Sequence, residues 1–382
     1  MKIPLAAPEI TEDDIEAVAK VLRTSRLSLG PKLEEFERHV ATYIGARDAV
    51  AVSSGTTALH LCMRAMGVKP GDEVIVPSFA FIAVANAVRY EGGIPIFADI
   101  DPKTMDIDPP QIEAVITSRT VGIVVVHTFG CPADLAEILR LAKRHGLFVI
   151  EDACEALGAE YDKRKVGIHG DAGVFGFYPN KQITTGEGGM LVTNNSWTAH
   201  SARQLRNQGR SDAEDWFEHT ALGYNYRIAE MNCALGIEQM KRIEQTLAKR
   251  ESVARAYDDR LKSCRDMTLP IIDFARGRIS WFSYVVRLSA SLGREHRDWI
   301  FRELIGREIG CGRYFAPIHQ QPAYRKSSEA VPSLPVTEFA ADRALALPFF
   351  NGINNVQIAE VCSTLLALLR QCSEGLGSRP IS

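Results

Sequence analysis

From Asp48 to Asp152 short, unbroken apolar runs alternate with stretches of helical period. AVAVS (49–53), EVIVP (73–77), IPIFADI (94–100), VGIVVVH (121–127) and LFVIED (147–152) are rich in β-branched and aromatic residues and lack the polar alternation of a strand with one wet face. Between them the spacing of apolar residues predicts helices over about 56–66, 79–90 and 133–146, with KPGD (69–72) as a turn. Buried strands separated by helices predict a mainly parallel sheet covered on both faces. In such an α/β architecture ligands bind at the carboxyl ends of the strands.

Ahead of this region, Thr11 and Asp14 form a capping-box pattern, and Ile15, Val18 and Leu22 share one face of a helix ending near Arg23. After a loop, Pro31 opens a second helix that runs through Phe36 and Tyr43 to Gly45. Downstream the pattern predicts a helix near 197–208, an irregular acidic segment, and one long helix from Ile228 to Leu261 bridging to a smaller domain. That domain carries one clear strand, FSYVVRL (282–288), a helix near 294–306, a Pro-rich loop region and a last helix near 355–371. The division reads as a large domain over 1–240 and a small one over 241–382, with a disordered tail, EGLGSRPIS. No internal repeat is present.

Composition narrows the function classes. A chain of 382 residues with 46% apolar and 24% charged residues fits a soluble globular protein of two or three domains. A net charge of −3 argues against a nucleic-acid partner. The eight cysteines show no CxxC pair, so neither a disulfide framework nor a zinc site is predicted. MKIPLAAPEITEDD has no apolar signal-peptide core, and no run long enough to span a membrane occurs, so the expected compartment is the cytoplasm.

Residues 171–189 draw attention to Lys181: an apolar strand, a turn at Pro179 and Asn180, the lysine, then a threonine and glycine loop leading into MLVT. A lysine desolvated among aromatic neighbours loses part of its charge and becomes a nucleophile for carbonyls, although a lysine with its head in water is the commoner arrangement. SSGTTALHL (53–61) joins a strand to a helix start, where the N–H groups of Gly55, Thr56 and Thr57 can hold a phosphate or simply be capped by a hydroxyl. It is not a phosphate loop of the GKS or GKT kind, and TTGEGG lacks the spacing of a dinucleotide fingerprint. LFVIED ends on Asp152 at a buried strand's carboxyl end, a costly place for an unpartnered carboxylate unless it is the N-cap of a following helix. A phosphate cradle, a strand-end aspartate and a lysine 29 residues later are together the parts that hold pyridoxal phosphate: the aspartate partners the pyridine nitrogen and the lysine forms the Schiff base.

The chain resembles the DegT/DnrJ/EryC1/StrS sugar aminotransferases through SLGPKLEEFE, SSGTTALHL, VPSFAFIAVANA, VVHTFGCPADL, VIEDACEALGAEY, GFYPNKQITTGEGG, LGYNYRIAEMNCALG, YFAPIHQQPAY and LALPFF. The resemblance implies the aspartate-aminotransferase-like fold type I, a three-layer α/β/α large domain and a smaller α+β domain. It makes Lys181 and Asp152 catalytic, puts Phe81 on the cofactor ring and Glu155 near its phenolic oxygen, and gives the phosphate to Thr56 and Thr57; by residue type alone Phe81 could equally be a core phenylalanine on a buried helix. Asn225 would reach the phosphate of the neighbouring subunit, implying a homodimer with shared active sites. His319, Tyr314 and Ser283 would face the substrate. Two positions depart from the pattern: Gly176 stands where many relatives have a phosphate-binding serine, and Cys131 replaces a usual polar residue.

The branch most similar to GFYPNKQITTGEGG and RYFAPIHQQPAY is the perosamine-synthase-like one, which implies transfer of an amino group from L-glutamate to C4 of a nucleotide-linked 4-keto-6-deoxyhexose, for a surface polysaccharide such as O-antigen or for a deoxyaminosugar. C3 amination is an alternative within the family. A sugar dehydratase using the same cofactor would carry histidine in place of Lys181, and a non-catalytic binding protein would have no need of Lys181 and Asp152.

Overall fold

The computed structural model describes residues 2–210, 218–325 and 332–374. The tail from 375 and most of the acidic segment, 211–217, lie outside the described residues. Strands β1 (Asp48–Val52), β2 (Glu73–Pro77), β3 (Ile94–Ala98), β4 (Thr120–Val126) and β5 (Phe148–Asp152) coincide with the apolar runs of the sequence. Two short strands, β6 (Glu160–Tyr161) and β7 (Arg164–Lys165), precede β8 (Ala172–Gly176) and β9 (Gly189–Thr193). The large sheet is ordered β1-β9-β8-β5-β4-β2-β3. β9 runs antiparallel to both neighbours, and every other adjacent pair in the sheet is parallel. β4, β5 and β8 therefore end on one edge, and Val126, Asp152 and Gly176 meet there.

Helices cover both faces because alternate residues of each strand are apolar on both sides. Val149 belongs to the core shared with α2 (Pro31–Ile44), α6 (Leu135–His145) and α8 (Glu230–Lys241); its neighbour Ile150 belongs to the core shared with α3 (Gly55–Ala65), α4 (Ala83–Tyr90) and α7 (Ser196–Arg206). This is the three-layer α/β/α arrangement. α1 (Glu12–Leu22) carries the capping box at Thr11 and Asp14.

A second core surrounds a small antiparallel sheet of β10 (Met267–Thr268), β12 (Tyr284–Leu288) and β13 (Ala344–Leu347). α9 (Ile243–Leu261), α10 (Arg294–Gly306) and α11 (Asn355–Ser373) pack on it through Tyr257, Leu304 and Leu365. α9 starts in the large domain's core with Ile243 and Leu247 and finishes in the small one with Tyr257 and Leu261. Ile3 also belongs to the second core, its N–H bonded to Glu308 O, so the chain's first residues run with the small sheet. β11 (Gly277–Arg278) pairs with β6 and ties the two parts together.

Beyond the short strands and the short helices of the Pro-rich region, which the sequence reading did not name, the structure differs from it in three places. The helix expected over 228–261 is two, broken at Arg242, whose φ of −116° and ψ of 16° leave the helical region while its guanidinium turns back to the buried carboxylate of Asp14. The helix expected from 79 begins only at Ala83, which leaves Phe81 in a loop after Pro77. The short helix α5 (Pro109–Ala114) was not expected, and its six residues carry too little periodicity to announce themselves.

Candidate active site

A cavity of about 520 Å³ opens at the carboxyl ends of β5 and β8. Asp152, the last residue of β5, lines it and is 8% exposed, with its Oδ1 accepting the Cys154 N–H at 3.0 Å. The preceding residue, Glu151, points the other way, as alternation along a strand requires. It is fully buried against His127 Nε2 at 3.1 Å and accepts the N–H groups of Gly167, His169 and Gly170, each at 2.7 Å. Burial opposes its charge, yet His127 and those N–H groups hold its carboxyl below the ordinary value. Glu151 thus anchors the 167–170 turn and leaves Asp152 alone to face the cavity.

Lys181 follows β8 by five residues, its N–H bonded to Tyr178 O. Its Nζ lies 3.6 Å from Glu155 Oε1 and 4.1 Å from the centre of the Phe282 ring. Glu155 is buried. That burial raises its carboxyl pKa against the opposing pull of Lys181 and of the Phe129 N–H, which it accepts at 3.0 Å. Tyr314, Phe315 and Phe129 form a stacked wall: Phe129 and Phe315 are 5.3 Å apart at 19°, Tyr314 and Phe315 5.2 Å at 15°. Phe81 lines the mouth of the cavity with 63% of its surface exposed, so it is not a core residue.

On the opposite side the N-terminus of α3 points in. Gly55 and Thr56 are its first two residues, and their N–H groups have no acceptor within the helix. Backbone approaches closely here: a side-chain carbon on Gly55 would stand 2.8 Å from Cys154 Sγ, and one on Gly189 would stand 2.3 Å from Ser54 carbonyl atoms. Gly176 lines the same corner and offers no hydroxyl. Burial first, and then the Asp152 charge, push the Cys154 thiol well above its ordinary pKa, so it stays protonated and packs as a small apolar group.

Some residues expected at the site lie elsewhere. Thr57 spends its hydroxyl in the cap of α3, donating to Ser54 O at 2.8 Å and accepting from Ser54 N at 3.1 Å; Ser54 lines the cavity instead. His319 has no side-chain exposure, and both ring nitrogens are committed, to Ser78 Oγ at 2.6 Å and Glu338 Oε1 at 3.2 Å. Ser283 lines a separate small recess with Trp281 and Lys103, because adjacent residues of an extended segment face opposite ways and Phe282 takes the cavity side. Asn225 is exposed on the protomer's surface, outside the cavity. Ser54, Phe282, Phe315 and Asn180 were missed by sequence reasoning. Asn180 and Phe282 each adjoin a residue singled out there, and the chain reversal that selects them is not written in residue type. Among the described residues no cluster of His, Cys, Asp and Glu could hold a metal ion, and no helix is long and apolar enough to cross a membrane.

Comparison with known proteins places this geometry. Residues 8–366 match the DegT/DnrJ/EryC1/StrS aminotransferase family. The chain is 39% identical over 367 residues to the GDP-perosamine synthase of Caulobacter vibrioides, spanning 95% of this chain and 97% of that one. Its fold superposes on PseC of Helicobacter pylori, an aminotransferase of pseudoaminic acid biosynthesis, with a TM-score of 0.92, at 28% identity over 97% of this chain and 99% of that one. DesV of S. venezuelae superposes with a TM-score of 0.86, at 33% identity over 96% and 95%. With a lysine, a strand-end carboxylate and a free helix N-terminus meeting in one cavity, the chain belongs to the DegT/DnrJ/EryC1/StrS aminotransferases and is a pyridoxal-phosphate-dependent enzyme of fold type I.

Proposed function

We propose that this aminotransferase moves an amino group from L-glutamate to C4 of a nucleotide-linked 4-keto-6-deoxyhexose. The observation that carries the reading is the convergence of Lys181, Asp152 and the α3 N-terminus on one cavity; the choice of C4 rests on the likeness to GDP-perosamine synthase. The residues fit the cofactor. The free N–H groups of Gly55 and Thr56 at a positive helix end suit a phosphate dianion, and the carboxylate of Asp152 suits a protonated pyridine nitrogen. Bound pyridoxal phosphate supplies an electron sink at the carbon that loses and regains its proton.

The chain's own groups do the rest. Asp152 holds the proton on the ring nitrogen and so keeps the sink effective. Lys181 Nζ would hold the cofactor covalently and, once released by the donor's amino group, would serve as the base that takes up the proton from the donor's α-carbon. Glu155, 3.6 Å from that nitrogen, orients the phenolic oxygen's side of the ring. Phe81 at the cavity mouth would cover the bound ring, and Phe282, Tyr314 and Phe315 line a wall that would exclude water from it. Tyr314 is placed to meet the incoming sugar. Asn225 projects from the protomer and reaches the phosphate held by a second copy, so the working unit is a homodimer in the cytoplasm. Each protomer consists of a large domain and a small one, a division supported by the two separate cores; the boundary near residue 240 is approximate, since Ile243 and Leu247 still pack in the first core and Ile3 in the second.

The test is the visible absorption of the protein loaded with pyridoxal phosphate, before and after L-glutamate, followed by addition of a nucleotide-linked 4-keto-6-deoxyhexose. Loss of the cofactor band with glutamate and its return with the keto-sugar is the expected result. Turnover of a sugar by a Lys181→Ala variant would overturn the role of Lys181 and the transfer built on it.

A further inference from the structure

The helix whose N-terminus faces the cavity carries a second, buried polar cluster that the reaction does not use. His60, in the second turn of α3, is 5% exposed. Its Nε2 lies 2.7 Å from Glu91 Oε1 and its Nδ1 2.9 Å from the Tyr226 hydroxyl. Glu91 also accepts the Tyr224 hydroxyl at 3.1 Å and Arg64 Nη1 at 3.0 Å. A carboxylate only accepts, so Nε2 carries the proton and Nδ1 is left to accept the Tyr226 O–H. Burial lowers the His60 pKa and keeps the ring in that neutral form, against the pull of Glu91.

The cluster grips the loop that holds Asn225 from one side only. Tyr224 and Tyr226 stack at 4.8 Å and 7° and reach inward to Glu91 and His60. The backbone is extended here, with Tyr224 N–H on Leu205 O, Tyr226 N–H on Arg206 O and Asn225 bridged to Asn207. In extended chain the residue between two inward side chains faces outward, and Asn225 is exposed. Ser53 N–H, one residue before the turn that lines the cavity, donates to Tyr226 O at 2.9 Å.

We propose that His60, Tyr226, Glu91 and Tyr224 form a latch that fixes Asn225 outward at the height of the α3 N-terminus, so that it meets the cofactor phosphate of a second copy of this chain. The inference rests on Asn225 being a phosphate ligand shared between subunits. His60 and Tyr226 are positioning residues: neither lines the cavity. Their removal frees the loop and weakens binding of the phosphate alone.

The full-length protein, freed of cofactor, is titrated with pyridoxal phosphate and, separately, with pyridoxal, which lacks the phosphate. Tyr226→Phe keeps the ring stack and deletes one hydroxyl; His60→Leu removes the central acceptor. Each is expected to weaken pyridoxal phosphate by about tenfold, the equivalent of one hydrogen bond's contribution, and to leave pyridoxal unchanged. Asn225→Ala shows the same selective loss, and adding Tyr226→Phe to it produces no further loss, because both act through one contact. Equal weakening of both ligands, or additive losses in the double variant, would show a merely structural cluster and overturn the inference. An Asn225→Ala protein with unchanged affinity would instead sink the shared-site reading on which it rests.

Discussion

Asp106 offers a prediction whose size follows from the structure. It is buried, with Oδ1 accepting the Thr128 N–H at 2.8 Å and Oδ2 meeting no partner. Burial raises its pKa from 3.8 to about 8, against the lowering effect of the Thr128 and Thr104 contacts. The folded protein therefore holds a proton that the unfolded chain releases above its own pKa of 3.8. Stability from this group is complete below that pKa and is lost as pH rises toward the folded value, at about 1.4 kcal/mol per pH unit. Asp106→Asn keeps the acceptor for Thr128 and removes the proton. From about pH 5 to about pH 8 the variant should gain roughly 4 kcal/mol relative to the parent, an upper bound. With about 2.1 cal/mol/K of unfolding entropy per residue, that corresponds to a relative rise in apparent Tm of up to about 5 °C. Thermal scans of both proteins across that range measure it. The amide's own packing cost sets the offset between the curves but not its change with pH. A difference in Tm that stays constant with pH would mean that Asp106 titrates alike in both states and holds no proton on folding.

Other perturbations test other links. Lys181→Ala should abolish the cofactor's response to L-glutamate while pyridoxal phosphate still binds through the α3 N-terminus, as equilibrium dialysis would show. Gly55→Val puts a branched carbon where a Cβ already stands 2.8 Å from Cys154 Sγ, so cofactor affinity should fall by at least about tenfold; Cys154→Ala in the same chain relieves that contact and should recover part of it. Glu230, 1% exposed, accepts the N–H groups of Lys32 at 2.8 Å and Leu33 at 2.9 Å and so caps α2 from 197 residues away. Glu230→Ala should cost about 2–3 kcal/mol, seen as a drop in apparent Tm of roughly 3 °C.

Most of the large domain was legible because its strands are buried on both faces, which leaves continuous Val, Ile and Phe runs that no loop can carry. The small sheet was legible only at β12, since β10 has two residues and β13, four small and apolar ones, reads equally as helix. The break between α8 and α9 depends on a contact with Asp14, 228 residues away, and no local pattern records it. At the site, Lys181, Asp152, Gly55 and Thr56 could be found because each combines a costly or permissive residue type with a strand or helix end. His319 and Ser283 were misplaced for opposite reasons. His319 is a polar residue satisfied on both sides by partners distant in sequence, Ser78 and Glu338. Ser283 lost the cavity to its neighbour Phe282 through strand alternation alone. Phe81 could be read as core or as cofactor cover, and only its 63% exposure decides against the core.

Amino-group transfer from L-glutamate is tested by titrating the pyridoxal-phosphate-loaded protein with L-glutamate while following the cofactor's visible absorption. The band is expected to be lost as the amino group is taken up and to return when a nucleotide-linked 4-keto-6-deoxyhexose is added, with the aminosugar as product. A cofactor band indifferent to glutamate, or one lost to glutamate but never restored by any nucleotide keto-sugar, would contradict the proposed transfer.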